Sequence, residues 1–382
     1  MRAAIEMSMK ILLTSDAVGG VWTYAVELCR ALARYDVEVV LATMGPRPSA
    51  DQAREIAQLH HVLLRESDYK LEWMNDPWRD VDRASDWLLE LEREHQPDVI
   101  HLNGYAHGSL PWQAPVMVVA HSCVCSWWRA VKKVEAPGSW DTYRQRVQQG
   151  LQDATTVVAP SQAMLECLRH HYGPLPASRV IYNGRDPKLY SPASKEPFIL
   201  TAGRLWDEAK NLAAIEAVAD QLSWPVYVAG DESSPDGSVV ESFNVRRLGR
   251  LNQLQMGHWY GRASIYALPA RYEPFGLSAL EAALSGCALV LGDIPSLREV
   301  WQDAAVYVDP DDRASLAREL QVLMDDTPRR AEMARRATQH AAQYTPRRMT
   351  EAYLEAYRQM ILQRRLMAAP DLLAHYTAAP LH

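Results

Sequence analysis

The sequence predicts an α/β protein built from two doubly wound parallel-sheet domains in series, facing a cleft. Three observations carry this. Short Val/Ile/Leu-rich runs alternate with helix-period segments almost throughout, the pattern of βαβ units. The alternation breaks once, at DPKLYSPASKEP (186–197), and then restarts. The length of 382 residues exceeds an ordinary single core and suits two.

The elements follow in order. KILLTS (10–15) reads as a buried strand. After Gly19-Gly20, residues Val21, Tyr24, Ala25, Leu28 and Leu32 recur at the spacing of an amphipathic helix. EVVLAT (38–43), DVIHLN (98–103), PVMVVAHS (115–122), TTVVAPS (155–161) and RVIYNG (179–184) supply the other strands of the first half. The break at 186–197 holds three prolines and reads as a linker. FILTAG (198–203), a helix over 211–222, PVYVAGD (225–231), SIYALPA (264–270), ALVLGD (288–293) and AVYVD (305–309) repeat the architecture. From Asp312 onward the chain reads as consecutive helices, and TPRRMTEAYLEAYRQMILQRRL (345–366) has helical apolar spacing. Ligands of such domains sit at the carboxyl ends of the strands, where strand order reverses. Two facing domains therefore enclose a cleft suited to two substrates.

Composition narrows the function. A hydrophobic fraction of 48% and a charged fraction of 23% fit a soluble globular protein. The net charge of −7 argues against nucleic acid as a partner. The five cysteines are scattered, and Cys123 and Cys125 lack the second pair a zinc site needs. Reduced thiols in a cytoplasmic protein are expected. The N-terminus carries Glu6 and no long apolar region, so no signal peptide is expected, and Met9 is an alternative start. No apolar run approaches the ~20 residues that span a bilayer.

RYEPFGLSALEAALSG (271–286) carries the chemistry. The strand before it stops at Pro269, Gly276 lets the backbone pass close to a ligand, and a helix begins near Leu277. Its first N–H groups have no intrahelical partner and form an anion site. Glu273 and Glu281 flank that site. Ionised carboxylates only accept, so their natural partners are hydroxyls. A ligand with a phosphate between two sugars satisfies all three parts, which describes a nucleotide sugar. Arg204 and Lys210, in AGRLWDEAKN (202–211), would neutralise its diphosphate. Taken alone, they read first as exposed residues at a helix start, and RYEPFGLSALE downstream turns the reading toward function.

Together these segments resemble the family 4 retaining glycosyltransferases of the GT-B fold, with two Rossmann-like domains. SDAVGGVWTYAVELCRAL is similar to the family's first Gly-rich turn, VIYNGRD to its VIxNGvD segment, AGRLWDEAKN to GRLxxxKN, RYEPFGLSALEAALSGCALV to E-x7-E, and LREVWQDAAVYVDPDD to the stretch that follows. The resemblance implies that Glu273 bonds donor-sugar hydroxyls, Glu281 the ribose, and Phe275, Gly276 and Leu277 the sugar and phosphate through backbone N–H groups. It implies that Arg204 and Lys210 grip the diphosphate, that His121 reaches the donor sugar, and that Gly19 and Gly20 admit the first loop to the reaction centre. Gly249, Arg250 and Leu251 match a segment near the base. Arg204 and Lys210 stand six apart where the family usually has five. The expected division is 1–190 for the acceptor and 191–345 for the donor, with a C-terminal helix over about 346–382 returning to the first domain.

The resulting expectation is a retaining transfer from UDP-sugar, or a GDP- or ADP-sugar, to a carbohydrate, lipid or small metabolite, with no metal or other cofactor. No DxD-type cluster lies beside the phosphate segments. A nucleotide-sugar epimerase, a sugar phosphorylase or a non-catalytic nucleotide-sugar binder are the alternatives. Taken by itself, His121 reads first as a satisfied strand-end histidine. Seven of the 12 tryptophans lie between residues 73 and 140, most of them expected in the core. Trp127 and Trp128 are candidates for an acceptor platform. SWWRAVKK (126–133) reads as an ordinary helix with a solvated basic side, or as a weak membrane-surface contact. The sequence fixes neither acceptor nor oligomeric state.

Overall fold

The apolar runs assemble into two parallel sheets in the computed structural model, which describes residues 9–231 and 244–368. The first sheet holds β1 (Met9–Asp16), β2 (Val37–Met44), β3 (Val62–Glu66), β4 (Val99–Leu102), β5 (Val116–Val119), β6 (Thr156–Ala159) and β7 (Ser178–Val180), in the order β3-β2-β1-β4-β5-β6-β7. The second holds β8 (Glu196–Ala202), β9 (Val226–Ala229), β10 (Arg246–Gly249), β11 (Ala263–Leu268), β12 (Ala288–Gly292) and β13 (Val306–Val308), in the order β10-β9-β8-β11-β12-β13. Strand order reverses at β1 and at β8, so each sheet has its crevice beside its first strand.

Side-chain alternation divides each sheet between two cores. In β1, Leu12 lies in one buried cluster with Val40 and Ile100, while Ile11 and Leu13 lie in the other with Val39 and Leu41. In β8, Leu200 and Ile199 divide in the same way. Both faces are covered by helices, which explains why the strands read as continuous apolar runs.

Two strands were not anticipated. β3 and β10 are edge strands: β3 is only partly buried, and Arg246 and Arg247 of β10 are exposed. Neither carries a strong apolar run. β7 ends at Val180, earlier than RVIYNG suggests. The chain leaves the sheet because it docks on the segment before the last helix: Arg185 N–H donates to Tyr344 O at 3.0 Å. A Cβ on Gly184 would lie 2.3 Å from Thr345 O. The linker is not loose, since Tyr190 is buried within it.

The C-terminal helix, Pro346–Ala368, returns to the first domain. Met349, Tyr353, Tyr357 and Met360 are buried in the cluster that also holds Tyr24 and Leu28 of the first helix, Gly20–Leu32. The expected extension over 369–382 and the N-terminal residues 1–8 lie outside the described residues. Trp78, Trp87, Trp112, Trp128 and Trp140 pack against the first domain's core. The five cysteines are free thiols. Among the described residues, no helix is long and apolar enough to cross a membrane.

Candidate active site

The carboxyl ends of the two sheets face each other. A Cβ on Gly19 would lie 3.7 Å from the Arg204 side chain, and one on Gly20 the same distance from Leu277. The first loop therefore runs against the second domain with glycine at its closest points.

The loop and helix of RYEPFGLSALEAALSG (271–286), the signature loop and signature helix, are pinned. β11 stops before Pro269, and Gly276 takes a left-handed φ of 89° to enter the helix Leu277–Leu284. Glu273 Oε1 accepts the Gly276 N–H at 3.0 Å, and Oε2 pairs with Lys210 Nζ at 2.5 Å. Ser296 Oγ donates to the Glu273 carbonyl at 2.5 Å. No side chain caps the helix, so its first-turn amides remain available to an anion. The Phe275 ring is buried edge-on against Tyr344, leaving only its backbone for a ligand.

The cations come from the loop after β8. Despite the six-residue spacing, Lys210 reaches Glu273 because 208–210 coil into a single tight turn. Asn211 then adopts a left-handed φ of 59°, and its Nδ2 donates to Pro269 O and Pro310 O, both at 2.8 Å. Arg204 Nη2 donates to Asp207 Oδ2 at 2.8 Å. Asp207 was not singled out from sequence. It is buried, which disfavours its charge, but Arg204, Lys210 and the Trp127 N–H outweigh this and hold its pKa below the usual value.

The first domain contributes His121, just past β5. Its Nε2 lies 2.8 Å from Asn103 Oδ1. Asn103 Nδ2 donates to Thr14 O at 2.7 Å, which makes Oδ1 the acceptor and His121 Nε2 the protonated nitrogen. Nδ1 is thereby left as an acceptor for a ligand hydroxyl. Burial pushes His121 down to about 3, so its imidazole is neutral. His101 extends the network, with Nε2 3.3 Å from Asn103 Oδ1 and Nδ1 2.6 Å from Tyr357 OH on the C-terminal helix. Asp16, also missed in the sequence, ends β1 on the same wall. Burial raises its pKa to about 6, against the opposing effects of the Val18 N–H and Arg204.

Three expected placements need revision or qualification. Trp127 is not a free platform: its Nε1 donates to Asp207 Oδ1 across the cleft at 2.9 Å. Trp128 packs on the first domain's core. SWWRAVKK is not one ordinary helix, although its basic residues Arg129, Lys132 and Lys133 are exposed. It is a short α turn continued by a π turn, and Lys132 Nζ pairs with Glu208 at 2.7 Å and Lys133 Nζ with Asp311 at 3.8 Å. Two of its three basic residues thus face acidic partners on the other domain. Gly249, Arg250 and Leu251 lie at the carboxyl end of β10, two strands from β8, where Arg250 faces Asp231 at 4.0 Å and Leu251 packs on the core. Glu281, in the signature helix, pairs with Arg185 Nε at 2.9 Å.

Two doubly wound domains meet at a cleft, with an uncapped helix N-terminus on one wall and a neutral imidazole on the other, the architecture of the GT-B fold. Comparison with known proteins makes the class specific. Residues 18–189 match the model described as Glycosyltransferase Family 4, and residues 185–340 that for Glycosyl transferases group 1. The chain is 25% identical to a D-inositol 3-phosphate glycosyltransferase of Corynebacterium diphtheriae, covering 87% of each. It is 26% identical to a glycogen synthase of Mycobacterium tuberculosis, covering 87% of this chain and 90% of the other. The sucrose-phosphate synthase of Thermosynechococcus elongatus superposes with a TM-score of 0.77 at 18% identity, covering 93% of this chain and all of that one (100%). Anabaena HepE, solved with UDP-glucose, superposes with a TM-score of 0.75 at 17% identity, covering 92% of this chain and 100% of that one. The chain belongs to the family 4 glycosyltransferases.

Proposed function

We propose that the protein transfers a sugar from a nucleoside-diphosphate sugar, UDP- ahead of GDP- or ADP-, to a hydroxyl acceptor, with retention at the anomeric carbon and without a metal. The observation that carries this reading is the uncapped helix at Leu277, with Glu273, Lys210 and Arg204 around it. HepE, solved with UDP-glucose, supports the choice of donor.

In this reading the first-turn amides, Arg204 and Lys210 hold the diphosphate and stabilise the charge that grows on it as the glycosidic bond breaks. Glu273 accepts from donor-sugar hydroxyls, Glu281 from the ribose, and His121 Nδ1 from the sugar on the opposite wall. The acceptor hydroxyl attacks from the face the diphosphate leaves, within an ion pair, and gives its proton to the departing phosphate oxygen, which retains configuration. The donor domain spans 191–345. The acceptor domain spans 1–190 together with the C-terminal helix.

A thermal-shift panel of UDP, GDP, ADP and TDP in the presence of a chelator tests the reading. A nucleotide at a hundredfold excess over its Kd stabilises the fold by about 2.7 kcal/mol. One nucleotide should shift the melting temperature selectively, and its sugar conjugate should then turn over with a sugar, lipid or small-metabolite acceptor. No shift with any nucleotide refutes the proposal. Turnover without acceptor would point to an epimerase, and binding without turnover to a non-catalytic binder. Activity restored only by a divalent ion would refute metal independence.

A further inference from the structure

Arg185 lies at the crossing between the domains, in the segment resembling VIxNGvD, where the pattern has v. Its side chain is 3% exposed. Nη1 pairs with Glu27 Oε2 at 2.7 Å, and Nε with Glu281 Oε1 at 2.9 Å. Tyr190 OH accepts from Nε at 3.1 Å and from Nη2. One guanidinium thus joins the first helix of the acceptor side, the crossing segment and the signature helix.

The charge around Glu27 is mixed: burial and Asp186 oppose its ionisation, while Arg185 and Arg30 favour it. Glu281 is 13% exposed, so its carboxylate stands at the boundary between the buried arginine and the cleft. A carboxylate has about four lone-pair sites. The pair with Arg185 engages Oε1.

We propose that Arg185 is a positioning residue for the donor ribose. It fixes the Glu281 carboxylate so that its free side meets the ribose hydroxyls, and through Glu27 it makes that placement depend on how the two domains are seated. The inference rests on the ribose role of Glu281 proposed above. Removing one member of such a cluster leaves uncompensated charge, whereas replacing it entire does not.

The test measures dissociation constants of UDP, GDP and ADP and of their dideoxyribose counterparts. The wild type should prefer the ribose form of its nucleotide by roughly tenfold or more, as expected for hydrogen bonds to a charged group. Arg185→Met should bring this preference close to one while leaving the affinity for inorganic pyrophosphate within about twofold. A generally loosened fold would lower both affinities together. If Arg185→Met does not fold, Arg185→Met/Glu27→Leu removes one stranded carboxylate and is read the same way. Retention of the wild-type preference by a folded Arg185 variant overturns the proposal. Retention of it by Glu281→Ala, which removes the carboxylate altogether, or absence of nucleotide binding in the wild type, removes the underlying ribose reading instead and the proposal with it.

Discussion

Replacing Asp16 with asparagine asks whether the cleft wall is shaped for function at a cost in stability. Asp16 ends β1, and its Oδ1 accepts the Val18 N–H at 2.7 Å. Burial raises its pKa from 3.8 to about 6. The folded state therefore binds this proton more tightly than the unfolded chain. The stability it contributes is fully present below about pH 4 and is lost as pH rises through about 6. A difference of about two pKa units corresponds to about 3 kcal/mol between those limits. Asparagine keeps an acceptor for Val18 and carries no charge to desolvate. Asp16→Asn should thus be more stable than the wild type at pH 8 by up to about 3 kcal/mol, or roughly 6–12 °C in Tm for a domain of this size. Near pH 4 the two should melt together. Thermal unfolding followed by circular dichroism between these pH values reads the difference directly. A Tm difference independent of pH, or a variant less stable at pH 8, would refute the reasoning. A more stable variant with reduced turnover would mark Asp16 as retained for activity.

Two further outcomes are expected. Trp127→Phe keeps the ring but removes the hydrogen bond to Asp207, a charge-assisted contact worth roughly 1.5–3 kcal/mol. Amide exchange over 204–210 should accelerate and the donor KM should rise, and unchanged exchange would show that the contact does not hold the cleft. Asn211→Asp turns an acceptor toward Pro269 O and Pro310 O in place of the Nδ2 donor. It should lower stability by about 1–3 kcal/mol, partly offset by Arg271, and an unchanged denaturant midpoint would contradict that.

What could be read from the chain was whatever local pattern determines. The central strands announce themselves as Val/Ile/Leu runs because both faces are covered, and the signature helix because Gly276 and Leu277 sit where a turn must end. β3 and β10 were missed because an edge strand needs neither a covered face nor a long apolar run. The short β7 depends on Gly184 meeting Thr345, far along the chain. The same limit applies to side chains. Trp127 and Asp207 are 80 positions apart, and Lys132 and Glu208 are 76 apart. Each looks like a surface residue until the domains are placed together. The positions of Glu273 and Lys210 were legible as candidates, but their pairing was not. Asp16 and Asp207 each stand alone in sequence, and only burial beside Arg204 distinguishes them.

The returning helix has a consequence for synthesis. The core around Ile11, Leu13 and Leu28 is completed by Met349, Tyr353, Tyr357 and Met360. The second domain closes its two cores from residues 190–344, an unbroken stretch. A ribosome therefore delivers everything the second domain needs before the first is complete. At roughly 5–20 residues per second, the interval between the emergence of β7 and of Tyr357 is roughly 10–35 s. Throughout it, the face awaiting the last helix is uncovered apolar surface. The first domain to be made is the last that can finish folding, and that interval is when the nascent chain most needs a chaperone.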